Sequence, residues 1–274
     1  MTAVFSVMPR EERDTHSSRY LAHLREKEGL PNLTARTLPK REAFFRSLEE
    51  RPIPITRPLV DQAIFDLHLR RRAPAGPLDE RTMLALAVAK VNRAERFGIE
   101  FKLRKKGFEP KGADDPYTFI EIQELYHTRA FLSILETIGI RTDVHPPSGA
   151  TRALVASFGV LPHFLSDIIA LASEVAGIAA FQLLRGEARR LLEGEPDALA
   201  RVEALFTQIL TDEHGHVRFL RSRLGRARLW SAKMILPIVA RALVNDMAEF
   251  VALVGRRRFL AAVAATSASA GEGA

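Results

Sequence analysis

Long stretches of the sequence repeat apolar residues every three or four positions, and this period constrains the fold more than any other feature. One turn of an α-helix takes 3.6 residues, so the repeat places the apolar side chains on one helical face. Alternating Val, Ile and Thr runs bounded by Asn-Gly or Asp-Gly turns, which would indicate strands, do not occur. The sequence therefore predicts an all-α fold.

Prolines, glycines and polar segments divide the chain into three regions. Residues 1–76 are expected to form short helices broken by prolines, as an extension packed on a main bundle at residues 77–266, with a flexible tail at 267–274. The predicted bundle helices cover 79–104, 117–139, 152–192 with a break near Pro162, 197–225, and 229–266 with a bend at Pro237. This order predicts four long helices with additional helices at both ends.

Each of the four long helices carries a carboxylate on its apolar face. The residues are Glu95 on the first helix, Glu124 with His127 on the second, Glu174 on the third, and Glu213 with His216 on the fourth. In each Glu-x-x-His motif the two side chains lie on one helical face, so both can reach one site. An ionised carboxylate buried alone costs several kcal/mol, so each needs a positive charge nearby.

A pair of metal ions is the simplest source of that charge, because no Lys or Arg lies beside the acids on these faces. Carboxylate and imidazole ligands without thiolate suit iron or manganese. The chain contains no cysteine, which excludes Cys-bound zinc, iron–sulfur clusters and thiol nucleophiles. The sequence therefore predicts a two-metal site inside a helical bundle.

The order of these motifs over residues 79–225 resembles the ferritin-like di-iron carboxylate superfamily. The resemblance implies a ferritin-like four-helix bundle that binds two irons, with manganese or a mixed iron–manganese pair left open. It assigns Glu95, Glu124 and His127 mostly to one iron and Glu174, Glu213 and His216 mostly to the other, with some carboxylates bridging.

Residues beside the motifs refine the resemblance. Asp212 precedes Glu213, as an acid often does in the oxygenase and ribonucleotide reductase branches, so it is expected to hydrogen-bond His127. Two positions depart from those branches: Gln123 replaces the corresponding Asp, and Gly215 stands where Arg is frequent.

Several polar residues leave alternatives open. Glu100 could replace Glu95, but its helical face is mostly charged, and Glu121 could be a ligand or a solvated residue. His163 and Asp167 could line a substrate pocket, add a ligand, or form a satisfied polar pair. Tyr117 and Tyr126 are candidates for redox chemistry, hydrogen bonding or simple packing, and His214 is expected at the surface.

The resemblance implies several functions, and the extra helices help to choose among them. Additional helices can build a pocket and exclude water, as an oxygenase requires. We therefore expect hydroxylation, N-oxygenation or desaturation of a small or carrier-linked substrate with dioxygen. A ferroxidase or peroxide-scavenging iron-handling protein is the alternative, and a metal-free helical adaptor is a third.

Charge and the remaining motifs limit the kinds of partner that the sequence predicts. The net charge of +7, concentrated at both ends, fits either an ordinary solvated surface or one that attracts an anionic partner such as an acidic carrier protein. Nucleic acid is not expected, because the basic regions lack interleaved aromatic residues. No flavin or nicotinamide motif is recognised, so a separate reductase is expected. We also expect a cytoplasmic protein without a membrane span, and a homodimer is one option.

Overall fold

The computed structural model of the chain describes residues 3–30, 37–51, 55, 57–71, 76–106, 115–144, 149, 161, 163–245 and 247–269, and for residues 98–106, 163 and 164 the backbone alone. The described residues form ten α-helices and no strand, which confirms the all-α prediction. The helices are α1 (Arg10–Glu28), α2 (Pro39–Glu49), α3 (Gln62–Leu69), α4 (Glu80–Lys106), α5 (Pro116–Thr137), α6 (His163–Leu191), α7 (Pro196–Arg223), α8 (Arg226–Asn245), α9 (Ala248–Val254) and α10 (Arg256–Ser269).

Helices α4, α5, α6 and α7 form a bundle in which each packs against two neighbours. Helix α4 contacts α5 and α6, and α7 contacts the same two helices. These are the four long helices that the apolar period predicts, and the ends of α4, α5 and α7 lie within two residues of the predicted ends. Residues 152–160 and Pro162, predicted as the start of the third helix, lie outside the described residues.

Local sequence explains where α5 begins. The Asp115 carboxylate accepts a hydrogen bond from the backbone N–H of Tyr117 at 3.1 Å, and Pro116 occupies the first turn. Both features stabilise a helix N-terminus. Further along, Phe131 packs against Phe181 of α6 with ring centroids 5.3 Å apart. The helix is thus fixed at its start by a cap and farther along by aromatic packing.

The N-terminal helices cover the face of the bundle formed by α5 and α7. Helix α1 contacts both of them, and α2 contacts α1. Gly29, at φ 71°, ends α1 in the left-handed conformation that glycine adopts without strain. Pro39 begins α2 rather than interrupting a helix. One continuous hydrophobic core extends from Val4 to Val263, so the extension and the bundle share it.

The C-terminal region differs from its prediction. Residues 229–266 were expected as one helical region with a bend at Pro237, but they fall into α8, α9 and α10, and Pro237 lies inside α8. The breaks occur near Met247 and at Gly255, whose φ of 87° favours glycine. The predicted tail is also too long, because Ser267–Ser269 still belong to α10; residues 270–274 lie outside the described residues.

A buried ion pair holds α9 against α4. Lys90 Nζ lies 2.6 Å from Glu249 Oε2 and also donates to the backbone oxygen of Arg71 at 2.8 Å. The side chains of Lys90 and Glu249 are 2% and 0% exposed. The pair therefore links the C-terminal helices to the helix that carries Glu95.

Helix α6 is apolar along most of its length. Among the described residues, Leu165–Leu191 is the one segment whose length and composition would suit a membrane span, but 67% of its most apolar window is buried inside the fold. Its packing against α4, α7, α8 and α10 is typical of a central core helix.

Candidate metal centre

The bundle brings the carboxylates and imidazoles predicted from the sequence into one cluster, in which Glu95 and Glu174 are half-buried and the other four residues are buried. Ligand atoms of Glu124, Glu174, Glu213 and His216 all lie within 4.8 Å of one another. His127 Nδ1 lies 3.3 Å from Glu124 Oε2 and 3.2 Å from Glu213 Oε1. Five of the six predicted ligands are therefore in direct proximity, and this cluster could bind a metal ion.

Glu95, the sixth predicted ligand, joins the cluster, where the charges of Glu124 and Glu213 act on its carboxyl group. Glu124 and Glu213 occupy the central positions: His216 Nδ1 lies 3.1 Å from Glu124 Oε1 and 3.7 Å from Glu213 Oε2. Each of these two carboxylates thus approaches both imidazoles. Glu124 and Glu213 therefore connect the two Glu-x-x-His motifs at the centre of the cluster.

Both histidines present Nδ1 to the cluster and use Nε2 outside it. His127 Nε2 lies 3.2 Å from Asp212 Oδ2, the pair that the sequence analysis expects in contact. His216 Nε2 lies 3.1 Å from Gln123 Oε1. An imidazole that donates its Nε2 proton keeps the Nδ1 lone pair for a metal, so these outer contacts orient both rings as ligands.

Four polar atoms of the cluster are buried without a hydrogen-bond partner among the described residues. They are Glu124 Oε2, His127 Nδ1, Glu213 Oε2 and His216 Nδ1. One unsatisfied buried polar atom costs about 1–3 kcal/mol, so four in a single site need a common partner. Metal ions among these atoms would supply that partner, and the residues therefore fit a metal site.

Protons substitute for cations when no metal is bound. Burial, together with the nearby carboxylates of Glu124 and Glu213, raises the pKa of Glu95 well above its ordinary value. Burial and Glu213 raise the pKa of Glu174 in the same way. Both shifts favour the neutral carboxylic acid, which reduces the negative charge confined in the cluster.

The pKa values of both imidazoles are raised, which favours their positively charged form. Burial of His216 opposes protonation, but Glu124 and Glu213 outweigh it and raise its pKa to about 9. Burial also disfavours charge on His127, yet Glu124, Asp212 and Glu213 raise its pKa well above the ordinary value of 6.5. Metal binding must displace the protons from both Nδ1 atoms.

These shifts predict how the metal-free protein responds to pH. The pKa values of both histidines are raised in the folded state, so their stabilising contribution is complete below about pH 6.5. The contribution of His216 is lost as the pH rises through about 9, and that of His127 as the pH rises through its own raised pKa. We expect the free energy of unfolding of the metal-free protein, measured in urea, to fall between these pH values. Saturation with Mn²⁺ should abolish most of the fall, and an unchanged metal-free stability would contradict the assignment.

No family model, curated protein or solved structure matches the chain. What the structure itself shows is an all-helical protein with a buried Glu/His cluster that could bind a metal ion.

The two predicted tyrosines each donate a hydrogen bond to a carboxylate that is not among the six predicted ligands. Tyr117 Oη donates to Asp167 Oδ2 at 2.9 Å, and Tyr126 Oη donates to Glu42 Oε1 at 2.6 Å on the side of the N-terminal extension. Asp167 is buried but is not a member of the metal cluster. Tyr126 therefore acts as a packing and hydrogen-bonding residue between helices.

Of the four remaining candidates, Glu121 and His214 are half-buried, and the side chains of Glu100 and His163 lie outside the described residues. Glu121 lies outside the cluster, and so does His214, which was expected at the surface. Burial lowers the pKa of His214.

Tyr20 of α1 is a site residue that sequence reasoning missed. Its ring is 7% exposed and stacks on Phe219 of α7 with centroids 5.3 Å apart. Burial and the carboxylates of the cluster, Asp212 and Glu174 foremost, raise the pKa of its phenol well above 10. The N-terminal extension therefore places a neutral hydroxyl beside the candidate metal ligands.

Gly215 leaves the space that Tyr20 occupies. A Cβ atom at position 215 would lie 3.0 Å from Tyr20 Oη and 3.2 Å from its Cε2. The larger residue frequent here in the resembled branches would therefore displace the tyrosine. The close approach of Tyr20 from α1 therefore explains why a glycine stands within the second Glu-x-x-His motif.

Gly215→Ala should therefore fail to stabilise the protein, although alanine favours a helix interior by about 1 kcal/mol. The buried Tyr20 ring would have to move against Phe219 to accommodate the methyl group. Thermal unfolding of the metal-free variant is the measurement. Adding Tyr20→Phe, which removes the closest atom, should recover stability; a raised midpoint in Gly215→Ala alone would contradict the contact.

Proposed function

We propose that the protein is a dioxygen-dependent, non-haem di-iron oxygenase built on a ferritin-like bundle. The observation that carries the proposal is the convergence of four carboxylates and two histidine Nδ1 atoms in one buried site. Four ionised carboxylates and two neutral imidazoles carry four negative charges, which two divalent cations balance. A buried site requires such balance, because uncompensated charge is costly there.

The donor set supports iron, with manganese or a mixed iron–manganese pair as variants of the same proposal. All candidate ligands are carboxylate oxygens or imidazole nitrogens, and the chain has no cysteine. When bound, the metal pair would supply the reactivity toward dioxygen that side chains lack.

The protein residues would hold the metals, orient the ligands and exclude water. Glu124 and Glu213 approach both imidazoles and would hold the ions from the centre of the site. Asp212 and Gln123 hold the outer nitrogens of the imidazoles. Tyr20 closes the side facing α1, where exclusion of water would limit unproductive reactions.

The helices outside the bundle support an oxygenase over an iron-handling protein. An enzyme acting on an organic substrate needs a covered pocket, and α1 and α2 cover the α5–α7 face. The proposal includes a small or carrier-linked substrate, dioxygen and electrons from a separate reductase. Hydroxylation, N-oxygenation and desaturation are all reactions of this class, and a cytoplasmic location would suit the iron chemistry.

Turnover with labelled dioxygen tests the proposal. Metal-free protein is loaded anaerobically with two Fe²⁺ per chain, then given ¹⁸O₂, a ferredoxin with its reductase, and a panel of arylamines and acyl chains. We expect a product that has gained ¹⁸O or lost two hydrogens, and no product from Glu124→Ala. Continued uptake of Fe²⁺ far beyond two per chain without an organic product would instead identify an iron-handling protein.

A further inference from the structure

A buried hydrogen-bond network joins the outer nitrogens of both histidines to the N-terminal extension. Gln123 is its centre: Oε1 lies 3.1 Å from His216 Nε2, and Nε2 donates to Glu28 Oε1 at 3.1 Å and to Asp212 Oδ1 at 3.2 Å. An amide oxygen can only accept, so His216 must donate from Nε2. Asp212 completes the path to His127, 3.2 Å away.

Two cations balance the two carboxylates of this network. Arg41 of α2 donates through one nitrogen to Glu28 Oε1 at 2.9 Å and to Asp212 Oδ1 at 2.7 Å. Lys27 Nζ lies 2.5 Å from the same Asp212 oxygen. The side chains of Glu28, Arg41 and Asp212 are at most 5% exposed. Burial alone would raise the pKa of Asp212. The neighbouring His127, Arg41 and Lys27 outweigh burial and hold this pKa well below its usual range.

The network explains why position 123 holds an amide where the resembled branches have a carboxylate. A carboxylate there would lie within hydrogen-bond distance of both Glu28 and Asp212, giving three buried negative charges against two cations. Like charges so close together in a dry site are strongly unfavourable. An amide accepts from His216 on one side and donates to the two carboxylates on the other. The anionic Glu28 thus fixes which end of the amide faces the histidine.

We propose that Glu28 and Arg41, both outside the four-helix bundle, are positioning residues of the metal centre. Glu28 acts on His216 through Gln123, and Arg41 holds Glu28 and Asp212 together. The N-terminal extension is then part of the metal site and not only a cover over it. The inference rests on the proposed two-metal site, and it assigns roles to residues of α1 and α2 that touch no metal.

Removing members of the relay singly and together tests whether Glu28 acts through Gln123. Co²⁺ binding is followed by its visible absorption in the wild type, Glu28→Leu, Gln123→Leu and the double variant. Loss of an outer hydrogen bond to a metal-binding histidine typically costs about 10–100-fold in affinity, and we expect this for Gln123→Leu. Glu28→Leu should weaken binding as well, and the double variant should bind like Gln123→Leu alone.

Arg129→Met is the matched control. Arg129 also links α5 to α2, through Glu42 at 3.0 Å and Glu49 at 2.8 Å, but it contacts neither Glu28 nor Asp212. This variant should keep the wild-type Co²⁺ affinity and spectrum. Wild-type affinity in Glu28→Leu, or effects of the two single variants that multiply in the double variant, would overturn the inference. Failure of the wild type to bind two Co²⁺ would overturn the proposed function instead.

A charge exchange keeps the inference testable if the leucine variants do not fold. Gln123→Glu places a third carboxylate in the network and should lower the thermal midpoint of the metal-free protein. Adding Glu28→Gln restores the charge balance, because its amide can donate to the carboxylate introduced at position 123. The double variant should regain part of the midpoint lost in Gln123→Glu, although the carboxylate at position 123 still faces Asp212; a double variant no better than Gln123→Glu would refute the relay.

Discussion

Alanine in place of Glu124 is expected to abolish the binding of two metal ions while leaving the helical content nearly unchanged. The carboxylate approaches both His127 and His216, so its removal takes a ligand from each side of the site. The fold should survive, because the apolar faces of the bundle remain intact. Metal content after anaerobic loading with Fe²⁺, together with far-ultraviolet circular dichroism, measures the two effects. His216→Ala should give the same result.

Two variants outside the cluster serve as controls for that experiment. His214→Ala removes an imidazole from the same helix, and Asp167→Asn neutralises a buried carboxylate that pairs with Tyr117. Both should still bind two ions. Two tightly bound irons in both Glu124→Ala and His216→Ala would contradict the ligand assignment, and loss of loading in Asp167→Asn would show that a ligand had been misplaced.

The second large effect concerns stability and does not involve the metal. Lys90→Met should lower the free energy of unfolding by about 3–5 kcal/mol, because it leaves Glu249 buried without its cation. The Glu249 side chain is 0% exposed and cannot recover water without opening the contact between α9 and α4. Equilibrium unfolding in urea at neutral pH is the measurement.

The matched comparison is an ion pair of the same charge type at the surface. Arg10 and Asp14 lie 3.7 Å apart, and their side chains are 88% and 66% exposed, so Arg10→Met should change stability little. Adding Glu249→Leu to Lys90→Met should restore part of the loss, because no unpaired charge remains. A loss in Lys90→Met no larger than in Arg10→Met would contradict the role assigned to the buried pair.

The helices of the bundle were predictable because their evidence is local. Apolar spacing within one helix places Glu124 and His127 on the same face, and it does so equally for Glu213 and His216. Burial also predicts that the four helical faces converge, because a polar side chain on a buried face needs a polar or charged partner. The sequence could not show that Glu124 approaches both histidines, because this depends on how α5 packs against α7.

The outer parts of the site were missed because they depend on contacts between distant segments. Glu28 lies one turn beyond Leu24 and two beyond Tyr20 on a buried face of α1, so the test that found Glu95 would also have found Glu28. Nothing local predicts that Arg41 reaches Asp212, 171 residues away along the chain. The broken C-terminal helix was missed for another reason, since Gly255 was read as part of a helix that its positive φ ends.

Anomalous diffraction from crystals loaded with iron tests the central claim most directly. We expect two peaks at the iron edge, about 3.5–4 Å apart as in other two-metal sites, one beside Nδ1 of His127 and the other beside Nδ1 of His216. Glu124 and Glu213 should lie between the peaks. No peak within this cluster, or a single peak held at the protein surface, would show that these side chains do not form a two-metal centre.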